Sequence, residues 1–327
     1  MSSTSVFPEL ATRVLVAPHG NDLVGASLRI GPKHKQSGPI LIELDLDGSS
    51  RLVQAELGLH ADSIEWDEGA LSSESNLAIH LEEGSQASII LRYLGSESQV
   101  EKLYKSTLSI HLERDAHLEC MLVSETGRGS IRDSIAKAHL GEKAVLKWTE
   151  AIFDQGDGRY ITNVDLRGKG AELDFAGAYL AGAITEREHE VNENHFAPAT
   201  KSRAVMKSVL RESAHLVFRG LIRVDATAPG TDAYLSNRNL LLDDGARAES
   251  LPQLRIETDD VACSHGSATG GPREEELFYL MSRGLDFATA RSLLALGHLG
   301  SVLDRAPAKL AEELEARTAS ILEGKLS

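Results

Sequence analysis

Two cysteines in 327 residues, Cys120 and Cys263, cannot build a disulfide framework. Aromatic residues make up 5% of the chain, which argues against a large aromatic-lined pocket. No window approaches the ~18 uncharged apolar residues of a spanning helix. The opening residues, Met1 to Pro8, lack the basic-then-apolar order of a secretory signal. Basic residues are outnumbered: 34 Lys and Arg stand against 49 Asp and Glu. The formal charge of −15 excludes a general nucleic-acid surface, which needs concentrated cations. Gly127-Arg128-Gly129 and Gly156-Asp157-Gly158 do not complete the Gly-x-x-x-x-Gly-Lys-Ser/Thr phosphate loop, and no Gly-x-Ser-x-Gly elbow occurs. These absences predict a cytoplasmic protein that binds no nucleotide, no nucleic acid and no membrane.

What is present is aliphatic. Hydrophobic residues reach 42%, enough for a sizeable core. Residues 1–38 read as a short N-terminal segment, interrupted by Gly20, Gly25, Gly31 and Pro32. From Pro39 the chain turns to alternating runs, the signature of strands: Ile40 to Asp47 ending at Gly48, Asn76 to Leu81, and Ala87 to Tyr93. A turn followed by Ala and a strand recurs at Ala87, Ala116, Ala144, Ala171, Ala214 and Ala246, at spacings of 29, 28, 27, 43 and 32. A unit this short cannot bury its own apolar face, so the repeat predicts a stacked β array, a β-helix over 39–270, rather than an antiparallel sandwich. The spacing of 43 reads as an insertion carrying Glu186 to His195 as a polar loop or edge segment.

After Gly270-Gly271 the period changes to that of helices, giving a C-terminal helical domain over 271–327. Pro272 opens a first helix, with Glu274, Glu275 and Glu276 in its first turn and Gly284 at its end. Asp286 caps a second helix that runs to about Arg305, and Pro307 opens a third.

The candidate chemistry centres on Asp259-Asp260-Val261-Ala262-Cys263-Ser264-His265-Gly266. In a strand, residues i and i+2 share a face, so Cys263 and His265 present sulfur and nitrogen together to one soft metal or one transferred sulfur. A structural role for the pair stays open at this level. Asp259 and Asp260 read as the strand's end, with hard ligation the alternative. Cys120, alternating with Leu118 and Leu122, reads as a small core residue, with an internal sulfur acceptor the alternative. His189 and His195, with Glu188 and Glu190, are irregularly spaced and read as a solvated loop.

Several ordered motifs together resemble one family. They are Thr231 to Leu242, Pro252 to Ile256, Asp259 to Gly266 and Glu276 to Gly284, with Asn194 to Ser202 and Val217 to Ile222 upstream. The chain resembles the SufB/SufD scaffolds of iron–sulfur cluster assembly. The Cys-Ser-His-Gly form is nearer the SufD type, and Ala262 stands where Lys is common. The short segment ahead of the β runs resembles a compact archaeal-type member. The resemblance covers about residues 190 to 305.

It implies a right-handed parallel β-helix with a C-terminal α-helical domain, acting as a non-enzymatic scaffold for a transient iron–sulfur cluster. It places candidate cluster or iron ligands, Cys263 and His265, at a dimer interface with a SufB-type or identical protomer. It implies docking of a SufC-type ABC ATPase, which carries out ATP hydrolysis, on Glu276, Leu277, Phe278, Tyr279, Leu280, Arg283 and Gly284. Two other readings are a regulatory partner of the ATPase that never holds iron and a β-helical enzyme acting on polysaccharide. The low aromatic content and the absence of a secretory signal weigh against the second.

Overall fold

The computed structural model describes residues 13–14, 26–31, 39–45, 55–56, 64–67, 74–95, 97 and 101–323. The early strands are β1 (Arg13–Val14), β2 (Ala26–Ile30), β3 (Ile40–Asp45), β4 (Ala55–Glu56), β5 (Ile64–Asp67), β6 (Glu74–Leu81) and β7 (Gln86–Gly95). The regular region holds β8 (Lys102–Leu112), β9 (His117–Thr126), β10 (Ser130–Leu140), β11 (Val145–Ile152), β12 (Asp157–Leu166) and β13 (Glu172–Ala181). It continues through β14 (Glu186–His195), β15 (Lys201–Leu210), β16 (His215–Val224), β17 (Thr231–Leu241), β18 (Arg247–Ile256) and β19 (Val261–Gly270). Three helices follow: α1 (Glu274–Ser282), α2 (Phe287–Leu303) and α3 (Ala308–Leu322). Among the described residues, no helix is long and apolar enough to cross a membrane.

From β6 onward, even-numbered strands form one parallel sheet and odd-numbered strands the other, so each coil is one strand of each face. About seven coils stack into a parallel β-solenoid. The two faces share an interior of aligned columns. One column runs Ile89, Cys120, Trp148, Phe175, Ala204, Leu235, His265, one residue per coil. Its neighbour runs Ala87, Leu118, Leu146, Leu173, Ser202, Ala233, Cys263. Like side chains stacked at the ~4.8 Å strand spacing pack as a continuous core, which no single coil could bury alone.

The coil corners explain the alanine repeat and correct it. Ser85, Ala116, Ala144, Ala171, Thr200 and Thr231 occupy one corner, at spacings of 31, 28, 27, 29 and 31. Ser85, Ala116, Ala144 and Ala171 each accept, through the carbonyl, the amide that opens the strand one coil on, as Ala116 does from Val145 and Ala144 from Glu172. Thr185, Ala214 and Ala246 occupy the opposite corner. The spacing of 43 is therefore no insertion: it jumps from one corner to the other, because both corners demand the same small buried residue. Glu186 to His195, read as a polar loop or edge segment, is the regular interior-lining strand β14, with Arg187, His189, Val191, Glu193 and His195 turned inward.

One further difference from the sequence reading is local. Ala26–Ile30, inside a stretch read as irregular, is a strand paired in parallel with β6. Gly20, Gly25, Pro32 and the Gly48 turn lie outside the described residues. The helices begin close to where their signals stand. Asp286 caps α2 by accepting from the Thr289 amide at 2.8 Å, and Gly284 takes a positive φ of 96° between α1 and α2.

α2 and α3 lie on the outer side of the odd face. Met121, Val123, Ala151, Phe153, Ala176, Ala178, Leu180 and Val209 pack there against Ala295, Leu299, Val302, Leu303, Leu310 and Leu314. This is why β9 is apolar on both sides: Cys120 points into the solenoid and Met121 toward the helices. Cys120 is thus a core residue, and burial pushes its thiol up to about 12.

Candidate functional site at the open end of the solenoid

The last coil ends both sheets. β18 pairs only with β16, and β19 only with β17, so each carries one edge without a neighbouring strand among the described residues. Leu251, Leu254 and Ile256 of β18 are each about two-fifths exposed. Unpaired parallel edges with apolar side chains are templates for another chain.

Cys263 and His265 sit on this coil. Cys263 stacks on Ala233, and His265 on Leu235, so both continue interior columns to where the interior opens. Cys263 is half-buried and packs against the core cluster, whereas His265 is exposed. The i, i+2 relation therefore does put sulfur and imidazole on one face. Among the described residues, no three His, Cys, Asp or Glu side chains converge to hold a metal ion.

The thiol is not activated in the chain by itself. Burial pushes the Cys263 thiol upward, and the carboxylates of Asp232 and Glu193 push the same way. The Ala233 backbone hydrogen bond and the Arg203 guanidinium pull it down more weakly. Arg203 is held at 2.8 Å on Asp232.

Sequence reasoning missed what lies beneath the thiol. The interior turns polar toward this end. His195 is fully buried, with Nδ1 2.8 Å from the Thr200 hydroxyl and Nε2 3.1 Å from that of Ser202. Burial pushes its pKa down to about 4. Glu193 is fully buried, and neither carboxylate oxygen meets a hydrogen-bond partner in good geometry. Burial pushes it up to about 8, although Ser202 and Arg203 lie near enough to oppose the shift. Farther along the strands, Ser208 donates to Asn239 at 2.7 Å, and Asn239 donates to Thr269 of the last coil at 3.0 Å. The available signal was the register: Ser202 and Ala233 stand where earlier coils put Leu118, Leu146 and Leu173.

Asp259 and Asp260 fall in the turn between β18 and β19, where their carbonyls accept from Val261 and Gly230. The α1 residues stand apart from the thiol. Glu276, Phe278, Tyr279, Arg283 and Gly284 are exposed, and Leu277 and Leu280 are half-buried. No residue of α1 is buried, and Phe278 is 75% and Tyr279 57% exposed. Met281 of α1 and Phe287 and Leu293 of α2 are exposed as well.

A family model for the SUF system FeS cluster assembly, SufBD core domain, matches residues 65–298. An iron–sulfur cluster assembly SufBD family protein of Mycobacterium tuberculosis is 31% identical over 268 residues, 79% of this chain and 65% of that protein. One of Mycobacterium leprae is 32% identical over 238 residues, 70% of this chain and 59% of its own length. One of Staphylococcus saprophyticus is 21% identical over 245 residues, 75% and 53% respectively. The chain thus spans less than two thirds of the length of these relatives.

Proposed function

The chain belongs to the SufBD family of iron–sulfur cluster assembly proteins, and from that premise we propose that it is a non-catalytic, SufD-like scaffold subunit. It pairs through the open end of its solenoid and presents Cys263 and His265 to iron and sulfur at the joint. One observation supports this reading above the others: the thiol and imidazole lie on the interior columns of the last coil, whose two strands both keep unpaired edges among the described residues. Two ligands fill half of a tetrahedral site. A second chain laid along β18 and β19, either a SufB-type subunit or another copy, supplies the rest and covers Leu251, Leu254 and Ile256.

The exposed aromatic face of α1 and α2 suits a protein partner, because buried aromatic anchors dominate such interfaces. A SufC-type ATPase docks there in this reading. α2 lies on the outside of the solenoid, where Arg291 reaches Asp243 at 2.7 Å and His298 Nε2 lies 3.1 Å from the Arg238 carbonyl. Movement of docked ATPase subunits is passed through these contacts to the last coils. The iron and the cluster are cargo, and the protein's work is to hold and release them in the reducing cytoplasm.

The test is anaerobic co-expression with a SufC-type ATPase and a SufB-type subunit, with iron and sulfide counted on each species by native mass spectrometry. The expected result is a complex whose iron is lost in Cys263→Ser and His265→Ala while the subunits stay together. Wild-type iron content in both variants would refute the site. Failure of this chain to join any complex would refute the scaffold role.

A further inference from the structure

Three histidines stand in one straight column on the outer side of the even face. His80 of β6 pairs in register with His111 of β8, and His111 with His139 of β10. Asp165 of β12 follows in the next coil. Nothing in the sequence brings them together, since they come from three different coils. Elsewhere on this face opposite charges pair across rungs, such as Arg159 on Asp133 and Arg219 on Glu188. The histidine column breaks that pattern with three successive imidazoles.

Each outer imidazole has a carboxylate beside one ring nitrogen. His80 Nε2 lies 2.8 Å from Glu113 Oε1, and His139 Nδ1 lies 3.3 Å from Asp165 Oδ2. Asp165 is itself fixed by Arg167 at 2.6 Å and by Asn194 at 3.1 Å. The His139 Nδ1 atom is buried without a hydrogen bond of good geometry. His111, between them, makes no hydrogen bond among the described residues, and its ring meets that of His80 edge-on at 5.1 Å. Carboxylates on the far nitrogen of an imidazole are the usual supports of metal-binding histidines, because they orient the ring and raise its basicity.

We propose that His80, His111 and His139 form a binding site for one divalent first-row transition-metal ion on the outer even face, with Glu113 and Asp165 as its supporting carboxylates. Imidazole suits zinc, nickel, copper and iron of this class. In their present rotamers the rings do not converge on one point. Neighbouring rungs stand ~4.8 Å apart, so adjacent rings meet one ion by tilting, and His80 and His139, ~9.6 Å apart across two rungs, both lean toward His111 to complete the site. His111 is exposed and His80 and His139 are partly exposed, which leaves room for that rotation.

The site is independent of the open end. His139 lies four even strands back from the terminal coil by register, on the outer side, while Cys263 and His265 continue the interior columns. Untagged, chelator-treated full-length chain carrying Cys263→Ser and His265→Ala is therefore titrated with Zn(II) by calorimetry in two buffers of different ionisation enthalpy. The expected result is one ion bound per chain. Adding His111→Gln or His139→Gln weakens binding about tenfold or more, and each variant keeps its parent's melting temperature because the rings face outward. No zinc bound by the double variant, or unchanged affinity after both His→Gln changes, would overturn the proposal. The readout is metal on this chain alone, so it stands or falls separately from the scaffold reading.

Discussion

Arg92 and Glu313 meet at 2.7 Å although 221 positions separate them in the sequence. Arg92 comes from β7 and Glu313 from α3, and the same guanidinium reaches Glu125 of β9 at 2.7 Å. Arg317, one turn along α3 from Glu313, adds a contact to Glu125 at 3.3 Å. The Arg92 side chain is only 7% exposed, so this network fastens the last helix to an early part of the solenoid in a low-dielectric setting. Removing one member of a buried charge set strands the others without compensation. Arg92→Leu is therefore expected to cost about 3 kcal/mol in denaturant unfolding and to expose α3 to limited proteolysis. Stability and cleavage like those of the wild type would show that apolar packing alone holds the helix.

The corner positions make a second expectation. Ala144 is fully buried where the chain turns into β11. Its methyl group is stacked between the equivalent Ala116 and Ala171. Ala144→Leu overpacks that corner and is expected to cost about 1–3 kcal/mol, measured from the shift in denaturation midpoint. A neutral result would mean that the corner has slack the register does not show.

Stability should depend on pH through groups sequestered inside the solenoid. Burial pushes Glu193 up to about 8 and Glu150 up to about 7. For groups raised on folding, the stabilisation is complete below the unfolded value of about 4.3 and is lost as pH rises through the folded value. His195, pushed down to about 4, acts in the opposite sense. Its contribution is present above the unfolded value of about 6.5 and is lost as pH falls. Glu193→Gln should therefore flatten the fall in melting temperature between about pH 4 and about pH 8. An unaltered slope would show that Glu193 is charged in the fold.

Thiol chemistry should separate the two cysteines. Cys263 is half-buried with its pKa raised by burial, so iodoacetamide should alkylate it with a pH midpoint above the ~8.5 of a free thiol. Cys120 is fully buried and should stay unmodified until the chain unfolds. A Cys263 midpoint below that of a free thiol would mean that a cation, His265 included, activates it.

The aromatic face of α1 is separable from the fold. Phe278 and Tyr279 bury little in this chain, so changing both to alanine should alter stability by less than about 0.5 kcal/mol. If they anchor a SufC-type ATPase, the same change should weaken binding by ~tenfold or more, the cost of losing an aromatic hot spot. Unchanged binding in a pull-down or by interferometry would move the docking surface elsewhere.

The sequence alone determined the local grammar of this protein. Alternation predicted the strands, since side chains in a strand point to opposite sides. Asp286 and Gly284 marked helix boundaries through capping and backbone freedom. The Cys263–His265 spacing put both on one face of a strand. The ordered motifs pointed to the family, because their order along the chain is itself sequence information. Only the tertiary structure decided which coil each residue occupies and which side is inside. Small buried residues are required at both corners of a coil, so the alanine repeat could not tell one corner from the other, and β14 was mistaken for a loop. The polar character of Glu186 to His195 spoke for solvent, yet stacking placed His189, Glu193 and His195 in the interior. The His80–His111–His139 column, and the position of Cys263 on an open edge, arise from register between coils some thirty residues apart. No local pattern encodes that register: it is fixed when the coils stack and bury their shared core.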